Sequence, residues 1–169
     1  MPEDALPRDL REANNRYAAA WGERGALARK PARRLAILTC MDARVDPARA
    51  LGLVEGDAHV IRNAGGVASD DALRSLVISN RLLGTETAYV VGHTQCGMIS
   101  FTNEELYVQL EQEGIDGRWL DFLPFKEIET SVVMSVRKLR TTPLLPVDYR
   151  VEGFVFDVAT GRLEAVDVA

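Results

Sequence analysis

Short apolar runs alternate with segments of helical periodicity, and this alternation limits the fold more than any other feature of the chain. Residues 35–39, 58–62 and 87–91 are apolar enough to form buried strands. Between the second and third runs, a helix is predicted to begin at Ser69, which can cap it, and to stop at Gly84. A strand–helix–strand order predicts a parallel sheet with right-handed crossovers.

The remaining segments extend this pattern. Helices are predicted over residues 8–28, 103–113 and 125–140, and the tail is predicted to be a strand, a tight turn and a returning strand. The expected fold is therefore α/β, with helices flanking a mostly parallel central sheet of about four parallel strands plus an antiparallel C-terminal edge strand. We expect one domain over residues 1–169, in which residues 1–30 form an N-terminal helical arm.

The charge and the apolar runs exclude several classes of partner. A net charge of −5 argues against nucleic acid, and the basic run at residues 29–34 is interpreted as a solvated linker rather than an anion site. No stretch is long and apolar enough for a membrane span, and the N-terminus has no signal-peptide pattern. We therefore expect a cytoplasmic protein. In that reducing compartment we expect no disulfide between the two distant cysteines, so metal binding becomes the better hypothesis for them.

Reactive residues follow two of the predicted strands directly. One group is Cys40, Asp42 and Arg44, and the other is His93 and Cys96. Reacting groups gather beyond the carboxyl ends of parallel strands, so the two cysteines and the histidine can converge. Two thiolates and an imidazole suit Zn²⁺, and three protein ligands leave the fourth position open, as catalytic zinc requires.

Structural interpretations compete with these functional ones. A buried cysteine is commonly a small hydrophobe, and a lone histidine is commonly structural. His59 lies within a predicted strand and is interpreted as structural rather than as a proton shuttle. Residues 63–66 could form a phosphate-binding loop, although the P-loop lysine is missing.

Four segments together resemble the β-carbonic anhydrase family, in its small bacterial and archaeal type. The likeness runs from about residue 35 to the end of the chain, and it is carried by residues 40–44, 59–66, 92–98 and 153–163. The resemblance implies one Zn²⁺ per subunit, bound by Cys40, His93 and Cys96.

It also implies a lyase, carbonate dehydratase, in which zinc-bound hydroxide attacks CO₂ to give bicarbonate and a proton. Asp42 would accept a hydrogen bond from that hydroxide, and Arg44 would hold Asp42 through a bidentate pair. Because two thiolates cancel the charge of Zn²⁺, we expect activity to rise toward mildly alkaline pH. The resemblance further suggests a homodimer or a dimer of dimers, with N-terminal helices packed on the partner subunit.

Two positions depart from the family pattern. The family usually has serine where this chain has Ala43, and small relatives commonly have aspartate where it has Gln95. Because these departures can alter the substrate, a carbonyl sulfide or carbon disulfide hydrolase on the same fold and metal site is the first alternative. A non-enzymatic zinc-stabilised or redox-responsive protein is the second.

Overall fold

A five-stranded sheet forms the centre of the computed structural model, which describes residues 6–168. The strands are β1 Leu35–Cys40, β2 Ala58–Asn63, β3 Thr87–His93, β4 Arg150–Phe156 and β5 Leu163–Val166, in the spatial order β2-β1-β3-β4-β5. The first four are parallel neighbours, and β5 is antiparallel to β4. This arrangement confirms the predicted α/β fold.

Five α-helices accompany the sheet in the described residues: α1 Arg8–Ala19, α2 Pro47–Leu51, α3 Asp70–Arg81, α4 Asn103–Gln112 and α5 Ile128–Thr141. Helix α3 begins as predicted, because the Ser69 hydroxyl accepts a hydrogen bond from the Ala72 N–H. Helix α4 begins with a capping box between Thr102 and Glu105.

The helices differ from the sequence predictions in two places. The helix expected over residues 8–28 ends at Ala19 and is followed by a 3₁₀ turn, Gly22–Ala26, because Gly22 takes a left-handed φ of +55°. The short helix α2 was not predicted, although Asp46 caps it and Gly52 ends it in a left-handed conformation.

The core lies on both faces of the sheet. On one face, α3 and α5 pack on the strands through Leu76, Val132, Val136 and Leu139. On the other face, a smaller cluster is centred on Ile37 of β1 and includes Leu51 of α2 at its edge. Strand β1 is therefore buried along its whole length, as a continuous apolar run in a parallel sheet should be.

The N-terminal arm is the least buried part of the described chain. Helix α1 contributes no buried residue, and Leu10 and Tyr17 are each about half exposed. The arm is joined to the body by the Tyr17 hydroxyl, which donates to the Glu55 carboxylate at 3.0 Å. Residues 1–5 of the predicted arm, and residue 169, lie outside the described residues.

A chain of polar side chains lies toward the amino ends of the strands. His59 Nδ1 is 2.8 Å from the Ser79 hydroxyl, which is 2.9 Å from the Thr85 hydroxyl, and the Tyr149 hydroxyl follows at 3.3 Å. His59 pairs in register with Ala36 of β1, at the edge of the sheet opposite Cys40. Such a placement agrees with the structural interpretation of His59.

Among the described helices, none is long and apolar enough to cross a membrane.

Candidate metal centre

The predicted metal donors meet at the carboxyl edge of the sheet. Strand β1 ends at Cys40 and the adjacent β3 ends at His93, so the two side chains leave neighbouring strands at the same edge. The turn after β3 then returns Cys96 to them. The donor atoms of Cys40, His93 and Cys96 all lie within 4.8 Å of one another, and all three residues are buried. The two sulfurs are 4.0 Å apart and form no disulfide.

The His93 ring is oriented for metal binding. Its Nδ1 is 2.9 Å from the Thr94 carbonyl oxygen, which can only accept, so Nδ1 carries the proton and donates it. The other nitrogen, Nε2, therefore has a free lone pair. Among the side-chain nitrogens and oxygens of residues 6–168, it is the one buried atom without a hydrogen-bond partner. A buried polar atom is costly unless it is satisfied, and a metal ion beside the two sulfurs would satisfy it.

The donor set fits zinc. Two thiols and one imidazole are the soft and borderline ligands that Zn²⁺ takes, and three of them leave one coordination position open. Without metal, burial raises the pKa of the Cys96 thiol to about 11, with a smaller contribution in the same direction from the Cys40 sulfur. The metal-free site therefore holds a neutral Cys96 thiol at pH 7, and a metal ion must displace its proton.

Asp42 and Arg44 form a bidentate ion pair beside the donors. Arg44 Nε donates to Asp42 Oδ1 at 3.0 Å and Nη2 donates to Oδ2 at 2.8 Å, while the Arg44 backbone N–H also donates to Oδ1. These hydrogen bonds from Arg44 hold the pKa of the Asp42 carboxyl well below its usual range. Oδ2 lies 3.8 Å from His93 Nε2. An ionised carboxylate thus faces the place where a metal would sit.

Two further contacts were not predicted from the sequence. Arg62 of β2 donates from Nε to the Cys40 carbonyl at 3.0 Å and from Nη2 to the Asp42 carbonyl at 2.7 Å. On the opposite side, Arg44 donates to the side chain and to the backbone carbonyl of Gln95. The loop between β1 and α2 is therefore hydrogen-bonded to β2 on one side and to the turn that follows β3 on the other. Arg62 lies in a segment that carries the family resemblance, but its partners are backbone atoms that no sequence pattern identifies.

The loop at residues 63–66 packs against the backbone of the first metal donor. Asn63 Oδ1 accepts from the Val67 N–H at 3.0 Å, and Asn63 Nδ2 donates to the Val67 carbonyl. Gly66 has a φ of +66°, and a Cβ there would lie 3.0 Å from the Cys40 backbone nitrogen. The loop therefore needs glycine to reach the backbone of the first metal donor.

Apolar side chains cover the two sulfurs. Cys40, Cys96 and Met98 form one buried cluster, and Phe125 and Ile128 pack against it. Gly65 is in close contact with this cluster, since a Cβ there would meet the Phe125 ring at 2.8 Å and the Val67 side chain at 3.2 Å. The sequence alone does not show that Met98 and Phe125 meet here, because the chain leaves the site after Met98 and Phe125 returns to it from beyond α4.

Sequence comparison decides the family. The family model described as carbonic anhydrase matches residues 35–123, more than half of the chain. β-Carbonic anhydrase 1 of Mycobacterium tuberculosis is 43% identical over 153 residues, covering 90% of this chain and 93% of that protein. The chain belongs to the β-carbonic anhydrase family.

Solved structures agree with this membership of the β-carbonic anhydrase family. The carbonic anhydrase of Streptococcus mutans superposes with a TM-score of 0.90 at 46% identity, covering 94% of this chain and 96% of that one. A more distant relative, the carbon disulfide hydrolase of an Acidianus strain, is 37% identical over 155 residues, covering 78% of this chain and 76% of that protein. The recognition made from the motifs at residues 40–44 and 92–98 is therefore confirmed.

Proposed function

We propose that this β-carbonic anhydrase family member is a zinc lyase that catalyses the reversible hydration of CO₂ to bicarbonate and a proton. The observation that carries the proposal is the Nε2 atom of His93, which is buried and has no hydrogen-bond partner. It lies beside the two thiols and 3.8 Å from the Asp42 carboxylate. The resemblance to enzymes named carbonic anhydrase supplies the reaction class.

In this proposal Cys40, His93 and Cys96 hold one zinc ion per subunit. When bound, zinc would supply a Lewis acid that lowers the pKa of water at its open position. The Thr94 carbonyl keeps the proton on His93 Nδ1, so that Nε2 is available as a ligand throughout the reaction.

Asp42 orients the attacking oxygen. Because its pKa is depressed, Asp42 is an ionised carboxylate at neutral pH and can only accept hydrogen bonds. It would accept the O–H of the nucleophile and direct a lone pair at the CO₂ carbon. Arg44 holds the carboxylate in this state by donating to both of its oxygens.

The apolar side chains beside the two sulfurs would provide a place for CO₂. The substrate is small, linear and poorly hydrated, so it gains from contact with Met98, Val67 and Phe125 rather than from hydrogen bonds. His59 cannot carry the released proton, because it lies at the opposite edge of the sheet from the metal donors. The proton must therefore leave through solvent or buffer.

One experiment tests the proposal: zinc analysis of the purified protein combined with stopped-flow CO₂ hydration. We expect about one zinc per chain and a hydration rate that rises toward mildly alkaline pH, and both should be lost on chelation and restored by zinc. Zinc-loaded protein that shows no hydration activity from neutral to mildly alkaline pH would overturn the proposal.

A second candidate keeps the fold and the metal but changes the substrate. The matches to carbon disulfide hydrolases at 37% identity favour it, and carbonyl sulfide and carbon disulfide are linear molecules like CO₂. Rates on CO₂, carbonyl sulfide and carbon disulfide, measured on one zinc-loaded preparation, separate the two. A kcat/KM for either sulfur substrate above that for CO₂ would establish the second candidate.

We also propose a homodimer, or a dimer of dimers, in which residues 1–30 act as an arm of a single domain and pack on the partner. Support comes from α1, which buries nothing within its own subunit and exposes Leu10 and Tyr17. A variant lacking residues 1–28 should elute as a monomer on gel filtration, and an intact dimer would contradict this role.

The two unlinked thiols suit a reducing compartment, so cytoplasmic location is part of the proposal.

A further inference from the structure

The ion pair beside the metal donors does not fix its own position. Asp42 and Arg44 are two residues apart on the same loop, so their hydrogen bonds join them to each other but not to His93 and Cys96. A pair that moves with its loop could be intact and still lie too far from the substrate. A contact with the segment after β3 would fix the pair relative to these two donors.

Gln95 makes that contact. Arg44 Nη1 donates to Gln95 Oε1 at 3.3 Å, and Arg44 Nη2 donates to the Gln95 backbone carbonyl at 3.0 Å. Gln95 lies between His93 and Cys96, so these bonds attach the guanidinium directly to the segment that carries two of the three donors. Its left-handed φ of +56° is unusual for a residue with a side chain, and is found at few other non-glycine positions in the described chain.

Arg44 binds both of its partners at once. Nε donates to Asp42, Nη1 donates to the Gln95 side chain, and Nη2 donates both to Asp42 and to the Gln95 backbone carbonyl. A guanidinium has five N–H donors in a rigid plane, so it can bind both partners without releasing either. The Gln95 side chain binds Arg44 through its oxygen, which acts as a hydrogen-bond acceptor.

We propose that Gln95 is a positioning residue, which holds Arg44, and through Arg44 the carboxylate of Asp42, at a fixed place beside the metal donors. The inference rests on the proposed CO₂ hydration. Asp42 Oδ2 is only 3.8 Å from His93 Nε2, so a small movement would bring the carboxylate to the donor atoms. Arg44 prevents this movement only while its own position is fixed, and Gln95 fixes it from the β3 side.

The test uses two substitutions of matched size. Gln95→Met has a similar length but no acceptor, and Gln95→Glu keeps an acceptor at the same place. Gln109→Met, on the exposed face of α4, is the control. Losing one hydrogen bond from a charged group typically costs about 1.5 kcal/mol, so Gln95→Met should lower kcat/KM about tenfold, mainly through kcat.

A readout other than activity follows Arg44 directly. In the zinc-free proteins, nitrogen-15 NMR should show faster hydrogen exchange at the Arg44 Nε–H in Gln95→Met, but not in Gln95→Glu or Gln109→Met. Unchanged exchange and an unchanged kcat/KM in Gln95→Met would overturn the inference, because the backbone carbonyl alone would then suffice. An inactive wild-type protein would instead contradict the proposed function, and the exchange measurement would still decide the role of Gln95.

Discussion

Val132 of α5 packs directly against Gly153 of β4. A Cβ on Gly153 would lie 2.7 Å from Val132 Cγ1, a distance that Cβ atoms essentially never show. The same valine also contacts Gly92 of β3, where a Cβ would lie 2.8 Å from Cγ2. Because Gly92 immediately precedes His93, the approach of α5 to the sheet bears on the site as well as on the core.

Gly153→Ala should therefore destabilise the protein, since one methyl group overfills this contact. We expect a loss of about 1–3 kcal/mol in the free energy of unfolding, measured by urea denaturation. Val132→Ala frees space at the same contact, so the double variant should be more stable than the sum of the two single losses predicts. Additive losses in the double variant would show that the two residues do not share the contact.

Removal of zinc should lower the melting temperature substantially. A ligand at a thousandfold excess over its Kd stabilises the native state by about 4 kcal/mol, equivalent to roughly 8 to 16 °C for a chain of this size. Chelator-treated protein, compared with the same protein resupplied with zinc, provides the measurement by calorimetry. A His93→Ala variant should show a much smaller zinc-dependent shift, and a shift as large as in the wild type would exclude His93 as a ligand.

Zinc binding should release protons at pH 7. Burial raises the pKa of the Cys96 thiol to about 11 in the metal-free protein, so the thiol is protonated and its proton leaves when the sulfur becomes a ligand. Affinity should accordingly increase as pH rises toward that value. Calorimetric titrations in buffers with different ionisation enthalpies count the protons, and Cys96→Ser should release fewer. Equal proton release in the two proteins would contradict the assignment of Cys96.

Asp42→Asn should lower kcat by at least about tenfold while zinc content stays unchanged, because an amide can donate to the nucleophile and misdirect it. Asp71→Asn, on the exposed start of α3, is the matched control. A near-wild-type hydration rate in Asp42→Asn would remove the orienting role.

The pH profile of the same variant tests the charge state of Asp42. Arg44 lowers the pKa of Asp42 in the folded protein. The ion pair therefore stabilises the protein fully above the unfolded-state pKa of about 4, and this stabilisation is lost only as the pH falls through the lower folded-state pKa. Any inflection of the rate between pH 6 and 9 must then arise from another group. The residual activity of Asp42→Asn should keep that inflection, and its disappearance would show that Asp42 titrates in the working range.

The sequence predicted those features that depend on local pattern. Cys40 and His93 could be placed because each ends an apolar run, and parallel strands bring such ends to one edge. Ser69 could be placed because capping is a local interaction. The contacts of Gln95 and Arg62 could not be predicted, since both side chains bind atoms that only the folded loop presents. Helix α1 was predicted too long, because a left-handed glycine ends it where the apolar pattern continues.

The polar chain that begins at His59 lies far from the metal donors. His59 pairs in register with Ala36 of β1. Ala36 lies four positions before Cys40 on the same strand, which is about 13 Å at the usual rise per residue. Substitutions that far apart are nearly independent in their effects. A substitution in the polar chain is therefore expected to change the free energy of unfolding while leaving the arrangement of Cys40, His93 and Cys96 unchanged.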